Sequence, residues 1–242
     1  MPTVPKWMAN GMEKIFSGLM SDVLVTQTDY PAPRLKRIRF VGDLGDRPFH
    51  PGQVIEFRVG DRDFRHYTPA HYDATAGICE VLFYLHGRGP GSAWAEALRV
   101  GDRVKLMGPG GKMKYRDELA QHFVFGDETT LGLLQLFQSH AQQCGQHLEG
   151  LLELNARYQA WPVELGLGAM VVGKSTVPAA REAVDQIQKW LNAEPHRKSE
   201  TAFYLCGRAQ SIQQIQRVLR FCGIDRRRIT SHPYWADGKK GL

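Results

Sequence analysis

"FRHYTPAHYD" occupies residues 64–73, and the fold turns on how it is read. Side chains along a strand alternate between two faces. Arg65 and Tyr67 therefore share one face, and His66 and Thr68 the other. Pro69 has no N–H to give a ladder and holds Thr68 extended, so the strand ends there. The stretch predicts a cation, an aromatic ring and a hydroxyl at the lip of a sheet. Such a set suits a large, flat, anionic ligand, although a plain strand end with an exposed Arg and a half-buried Tyr has the same spacing.

The flanking sequence supports the strand reading. Runs of strand composition stand at 35–41 ("LKRIRFV"), 53–59 ("QVIEFRV"), 78–85 ("ICEVLFYL") and 103–107 ("RVKLM"). Turn signals separate them: "GDLGD", "HPG", "VGDRD", "GRGPG" and "GPGG". Short strands at this spacing predict a small antiparallel barrel. Around residues 112–120 the rhythm changes. Buried strands are expected at 122–125, 150–154, 167–172 and 201–206, with helices between them. Val184, Ile187, Trp190 and Leu191 keep one helical stripe, and Ile212, Ile215, Val218 and Leu219 another. Ser211 followed by Gln214 resembles a capping box. Strands alternating with helices predict a parallel sheet with crossovers.

Bulk properties narrow the class. A chain of 242 residues has room for two modest domains, and 43% hydrophobic with 23% charged residues is ordinary globular composition. The net charge of +6 fits either a basic, soluble surface or attraction of anionic partners. Cys79, Cys144, Cys206 and Cys222 are widely spaced without a C-x-x-C, which favours a reducing compartment and argues against a disulfide frame or a zinc site. In residues 1–21, Trp7, Met8, Met12, Ile15, Phe16 and Leu19 fit a helical stripe interrupted by charges, unlike a signal peptide. No apolar run approaches the roughly 18 residues that a membrane span needs. The expectation is a cytoplasmic protein without membrane insertion.

Three further stretches could carry chemistry. "HGRGPGSAW" (86–94) leaves backbone bare at three glycines, and Ser92 reads as the N-cap of a helix through Trp94. Exposed amides at a helix start make an anion site. "GDETT" (126–130) follows the first strand of the second half, where an open α/β sheet binds its ligands. Asp127 and Glu128 would repel a pyrophosphate there, so a bound nucleotide would bring its nicotinamide end closest. "GAMVVGKS" (168–175) matches the P-loop pattern, but its middle residues Ala169, Met170, Val171 and Val172 prefer to be a strand, and Pro178 stands where the helix would begin. An ATP site at Lys174 is therefore not the expectation.

Together these stretches resemble the siderophore-interacting proteins, the flavin-dependent ferric-siderophore reductases of the ferredoxin-reductase-like superfamily. "RHYT" resembles the family's R-x-Y-[ST] flavin motif, "HGRGPGSAWA" its His-Gly-x-Gly-Pro-x-Ser-x-Trp segment, and "VGDRVKLMGPGG" its Gly-Asp…Gly-Pro-x-Gly stretch. "VFGDETT" is similar to its Gly-Asp-Glu-Thr turn, and "PYWADGKKG" to its Tyr-Trp…Gly tail. The chain departs from the pattern in its extended N-terminus and in His71 and Tyr72 after the motif. The apolar stripe gives a helical extension over 1–21, and the resemblance implies a six-stranded antiparallel FAD-binding barrel over 22–116 and an NAD(P)H-binding parallel-sheet domain over 117–242.

Site roles follow from the same resemblance. Arg65 would neutralise the FAD pyrophosphate, Tyr67 would pack on the flavin or its ribityl side, and Thr68 would donate at the N5 edge. Backbone at Gly91, Ser92 and Ala93 would hold the pyrophosphate, and His66, His86, Gly89 and Trp94 belong to the same binding set. Thr129, with Asp127 and Glu128, would sit near the nicotinamide, and Tyr234 and Trp235 near the flavin face. The implied reaction passes a hydride from NADPH or NADH to FAD and then single electrons to Fe(III) in a siderophore, attracted by Arg228, Lys239 and Lys240. Arg157 could meet a 2′-phosphate. The alternative acceptor is a ferredoxin-like protein. A nucleic-acid or NTP-binding role, suggested by charge and the P-loop match, is the remaining class, and the reading adopted has no nucleic-acid partner.

Overall fold

The computed structural model describes residues 20–46, 48–194 and 196–239. The N-terminal helical stripe and Lys240 lie outside them. The chain divides into two compact units, the first ending at Lys114 and the second starting at Tyr115.

The first unit is antiparallel. Its strands are β1 (Met20–Ala32), β2 (Leu35–Gly42), β3 (Val54–Arg58), β4 (Phe64–Tyr67), β5 (His71–Asp73), β6 (Ile78–Tyr84) and β7 (Arg103–Gly110). They form one sheet in the order β4-β3-β7-β1-β2-β6-β5. β4 and β5 stand at opposite edges, yet only Thr68, Pro69 and Ala70 join them. Four residue steps span at most about 14 Å of chain. Six inter-strand gaps in a flat sheet would part the same edges by roughly 29 Å. The sheet must therefore curl until its edges nearly meet, and the seam falls at the "YTPAH" step. Seven strands replace the six expected, because the three-residue β5 pairs with β6 beyond the proline. Met20 and Ser21 belong to β1 rather than to an N-terminal extension.

Inward-facing residues from five strands close on a single core. Val23, Ile38, Phe40, Ile55, Phe57, Val81, Phe83 and Leu106 are all in it. Helix α1 (Pro90–Ala97) adds Ala95 to the same core, and Trp94 packs on Phe57 and Phe83 with centroids 5.0 and 6.0 Å away. Lys36 occupies the inward row of β2 with Ile38 and Phe40 and is 1% exposed. A buried ammonium is tolerable only when its protons are bonded. Its Nζ donates to the carbonyls of Ala95, Glu96 and Leu98 at 3.0, 3.2 and 2.6 Å. Those are the closing carbonyls of α1, where a cation is favoured by unpaired acceptors and by the helix dipole. Lys36 thus fixes the far end of the helix whose start faces the seam.

The second unit is a parallel sheet of β8 (Gln121–Gly126), β9 (His147–Leu154), β10 (Ala169–Gly173), β11 (Thr201–Arg208) and β12 (Ile229–Trp235) in the order β10-β9-β8-β11-β12. Every residue of β11 is buried, as expected of a strand covered on both faces. Helices α2 (Leu131–Cys144), α3 (Trp161–Glu164), α4 (Arg181–Ala193), α5 (Arg197–Glu200) and α6 (Ala209–Phe221) fall between or after the strands. Ile187, Trp190 and Leu191 of α4 meet Ile212, Ile215 and Leu219 of α6 over Phe123, Phe203 and Leu205. Strand order reverses between β8 and β11, so their carboxyl ends flank the crevice where such sheets bind ligands.

Candidate functional site

In the antiparallel unit the seam motif and the start of α1 meet. A Cβ placed on Gly91 would lie 2.6 Å from Tyr67 Oη and 3.3 Å from Arg65 Cγ. Only a glycine lets the helix start approach this closely. Arg65 and Tyr67 do share a face, as strand alternation requires. The Arg65 guanidinium donates to the Phe64 carbonyl at 2.7 Å and stands 3.5 Å from Asp63. Tyr67 packs edge-on to Phe83 at 4.7 Å, and burial pushes its phenol above the ordinary range, with Arg65 acting in the opposite sense. The ring is held rigidly and stays protonated, as a packing plate must.

The start of α1 differs from the expectation in one respect. Its N-cap is Gly89 at φ 78°, with Pro90 at the first turn, and no side chain caps it. Ser92 lies inside the first turn, and its Oγ accepts from the Gly87 N–H at 3.1 Å. It folds the preceding loop back, where an N-cap would instead have occupied the helix amides. No side chain occupies the first amides of α1, and a helix start of that kind suits an anion.

The remaining members of the set are placed as follows. Thr68 is buried at the seam. His66 faces Glu56 across the ladder, Nε2 to Oε2 3.4 Å. His86 accepts from the Arg88 N–H at 3.1 Å, and burial, then Arg88, lowers its pKa. Ala93 is exposed, while Trp94 is half-buried and, like Tyr67, packs against the core.

In the parallel unit, "GDETT" lies at the end of β8. Asp127 and Glu128 are 2% and 3% exposed. Asp127 Oδ1 accepts from Thr129 N at 2.9 Å and from Thr129 Oγ1 at 2.5 Å, and its Oδ2 accepts from Trp235 Nε1 at 2.7 Å. Glu128 Oε1 accepts from Asn155 N at 2.8 Å, and Oε2 pairs with Lys174. Lys174 also stands over the Trp235 ring, 5.2 Å from its centroid, and Arg208 stands 6.0 Å from it. Arg208 is itself anchored by Asp237 and by the Ser175 carbonyl. At Gly207, φ 94°, an added Cβ would come within 2.7 Å of the Asp127 carboxylate, so the ends of β8 and β11 press together there.

This geometry agrees with one sequence reading, corrects another and adds residues that the sequence did not mark. The middle of "GAMVVGKS" is β10, and Lys174 is engaged by Glu128, so there is no phosphate-cradling loop. Ser211 does not cap α6, whose N-cap is Arg208. Its Oγ donates instead to Glu153 Oε2 at 2.7 Å. Glu153, fully buried, also accepts from Ser175 N and Ala180 N and so pins the loop after β10. Tyr234 sits beside His232 in β12. Arg228 and Lys239 lie beyond opposite ends of β12, whose rise separates its termini by on the order of 20 Å, so they do not form one patch. Arg157 lies in the short 3-10 turn Ala156–Tyr158, its N–H held by Asn155.

Residues 59–113 match a family model described as the siderophore-interacting FAD-binding domain. Among solved structures, a siderophore utilization protein from T. fusca superposes with a TM-score of 0.68 at 22% identity, covering 92% of this chain and 95% of its own. The siderophore-interacting protein SipS from Aeromonas hydrophila gives 0.69 at 21% identity, with 91% and 93% covered. A ferredoxin reductase of carbazole 1,9a-dioxygenase gives 0.72 at 17% identity, with 89% and 69% covered. Among curated relatives, an NADH-cytochrome b5 reductase 1 from Coccidioides immitis is 35% identical over 72 residues, which is 30% of this chain. The chain covers about a fifth, 21%, of that relative's length. Among the described residues, no helix is long and apolar enough to cross a membrane. The uncapped helix start, the glycine-sized approach and the cation beside it all lie within residues 59–113, the stretch similar to a siderophore-interacting FAD-binding domain, and the fold is the one these solved structures share.

Proposed function

We propose that this protein is an FAD-dependent oxidoreductase that takes a hydride from NADPH or NADH and reduces Fe(III) in a ferric siderophore, releasing Fe(II). The observation that carries the reading is the close approach of Gly91 to Arg65 and Tyr67 at the barrel seam, inside the matched FAD-binding segment. When bound, the flavin accepts a hydride and gives up electrons one at a time. Fe(II) is a softer, more weakly held ion than Fe(III) for the hard oxygen donors of such a chelate, so reduction loosens it.

The chain's own residues bind and orient. Arg65 supplies a planar cation for bidentate phosphate contact, and the first amides of α1 add neutral donors. Tyr67 gives a fixed apolar plate for the ring or ribityl side. Thr68 offers a hydroxyl at the seam toward the flavin N5 edge. In the parallel unit, Asp127 holds the Thr129 backbone and hydroxyl in place, and Glu128 holds Lys174 at the carboxyl end of β8. Both acids are therefore assigned to positioning a nicotinamide site.

The test is the absorbance spectrum of the pure protein, followed anaerobically with NADPH, NADH and then a ferric siderophore in the presence of an Fe(II) chelator. Flavin bleaching by a nicotinamide, and its return with Fe(II) captured, is expected. A colourless protein that takes up no FAD overturns the flavin assignment. A flavin that is reduced but is not reoxidised by the ferric complex overturns the siderophore as acceptor and points to a ferredoxin-like protein.

A further inference from the structure

The C-terminal turn of α2 brings three different donor groups to one point. His140 and Cys144 lie one turn apart and so share a helix face. Asp117, from the segment before β8, reaches the same place. Its Oδ1 is 2.6 Å from His140 Nε2, and Cys144 Sγ is 3.6 Å from that same nitrogen. The three ligand atoms all lie within 4.8 Å of one another.

Two chemistries use such a trio, and geometry separates them. A Cys-His-Asp catalytic arrangement needs the thiol on one ring nitrogen and the carboxylate on the other. Here both converge on Nε2, so the acid cannot orient the ring from behind. Convergence on one lone pair is what a metal ion requires. Tetrahedral zinc, with Zn–S of about 2.3 Å and Zn–N of about 2.0–2.1 Å, implies a sulfur–nitrogen edge of about 3.6 Å. The observed edge already has that length. The nitrogen–oxygen edge must open to about 3.4 Å, and the exposed Asp117 side chain has room for that small withdrawal. Surrounding groups fix the frame. The Tyr115 ring packs edge-on to His140 at 4.8 Å, and Gln146 Nε2 donates to the Asp117 carbonyl at 2.8 Å.

We propose that Asp117, His140 and Cys144 bind one thiophilic divalent ion of the zinc class, with a water at the fourth position. A thiolate with an imidazole selects such an ion over magnesium or calcium. Binding releases the Cys144 proton to solvent. The site shares no residue with the seam or with the Asp127 cluster and does not rest on the flavin reading. It also runs against the sequence-level argument from missing C-x-x-C spacing, because α2 and the preceding segment assemble it through space.

The full chain, stripped with a chelator and dialysed, is titrated with cobalt(II). One equivalent should bind with a thiolate-to-cobalt charge-transfer band, and zinc should displace it one for one. Cys144→Ala should abolish the band. His140→Ala and Asp117→Asn should weaken cobalt binding by on the order of 100-fold, at or above the effect of losing an outer-shell partner. Far-ultraviolet circular dichroism of the metal-free protein should be unchanged in Cys144→Ala and Asp117→Asn, whose side chains are exposed. No saturable uptake, uptake without a thiolate band, or a band that survives Cys144→Ala would each overturn the proposal, the last by assigning the ion to another of the free cysteines.

Discussion

At the seam of the antiparallel unit, Arg65 leans on its own strand's Phe64 carbonyl and on Asp63 at 3.5 Å, and the amides of α1 have no side-chain cap. At the crevice of the parallel unit, all four carboxylate oxygens of Asp127 and Glu128 have partners from within the protein. One region keeps donors and positive charge on offer, and the other closes its charges on itself. The difference matches what each would hold. A resident, strongly anionic cofactor is recognised by groups whose bonding is completed by the cofactor. A transient nucleotide is served by a crevice whose shape is fixed beforehand, because an acid presented openly there would repel its phosphates.

The largest effects should come from the seam. Gly91→Val would drive a side chain into Tyr67 Oη and Arg65, and the Tyr67 ring is backed by Phe83. Overpacking of this kind costs about 1–3 kcal/mol. Spent against the cofactor, it should weaken FAD binding roughly 5- to 150-fold. Arg65→Ala should lose a charge-assisted contact of about 1.5–3 kcal/mol. The flavin-to-protein absorbance ratio after gel filtration measures both. If either variant retains flavin as the parent does, the seam is not the pyrophosphate site and the contrast between the units fails.

Lys36→Met tests the same contrast from the other end of α1. The substitution removes a buried charge but strands the Ala95 carbonyl, while Arg99 remains on those of Glu96 and Leu98. A buried acceptor left without its donor costs about 1–3 kcal/mol. The melting temperature should fall and flavin should bind more weakly, by less than in Arg65→Ala. Unchanged flavin affinity with a lowered melting temperature would show that the helix start needs no support from its far end.

How far the sequence carried this picture depends on range. Strand composition between turn signals locates β2, β3, β6 and β7 to within a few residues, and the apolar stripes locate α4 and α6. β1 carries no strand signature because "MSDVLVTQTDYPA" mixes charges with its apolar positions and buries only Val23, Val25 and Ala32. β12 was passed over because Pro233 interrupts it at the sheet edge, where a missing N–H is tolerated. Arg65 and Tyr67 were legible from spacing. Their approach to Gly91, the Lys36 cap and the Lys174 pair were not, because each joins residues more than twenty positions apart and leaves no local signature.

Glu128→Gln probes the self-closed region. Lys174 would lose its principal partner, but it is partly exposed, so the cost is nearer to that of a half-buried pair than to a fully buried one. Flavin content should be unchanged. The rate of flavin reduction by NADPH should fall by roughly fivefold, corresponding to about 1 kcal/mol of lost positioning. A loss of flavin on this substitution would mean that the crevice and the seam do not divide their tasks as described.

The smallest effect expected is a pH dependence confined to the parallel unit. His122 is buried beside Tyr115, with ring centroids 4.1 Å apart, and near the Tyr204 hydroxyl at 3.4 Å. Burial lowers its pKa most, and His140 adds to that. The Leu119 carbonyl, Gln146 and Asp117 act in the opposite sense. A histidine with a depressed folded pKa stays neutral while its unfolded counterpart begins to take up protons. Above the unfolded value of about 6.5 both states are neutral and stability is flat. As pH falls below it, the unfolded state binds more protons and stability declines until the folded-state pKa is passed. Thermal unfolding of the wild type should therefore weaken between neutral and mildly acidic pH, and His122→Gln should flatten that part of the profile while lowering stability at neutral pH. Because Arg65, Gly91 and α1 lie in the other unit, flavin retention across the same pH range should be identical in the two proteins. A parallel loss of flavin would tie the buried histidine to the seam and erase the separation between the regions.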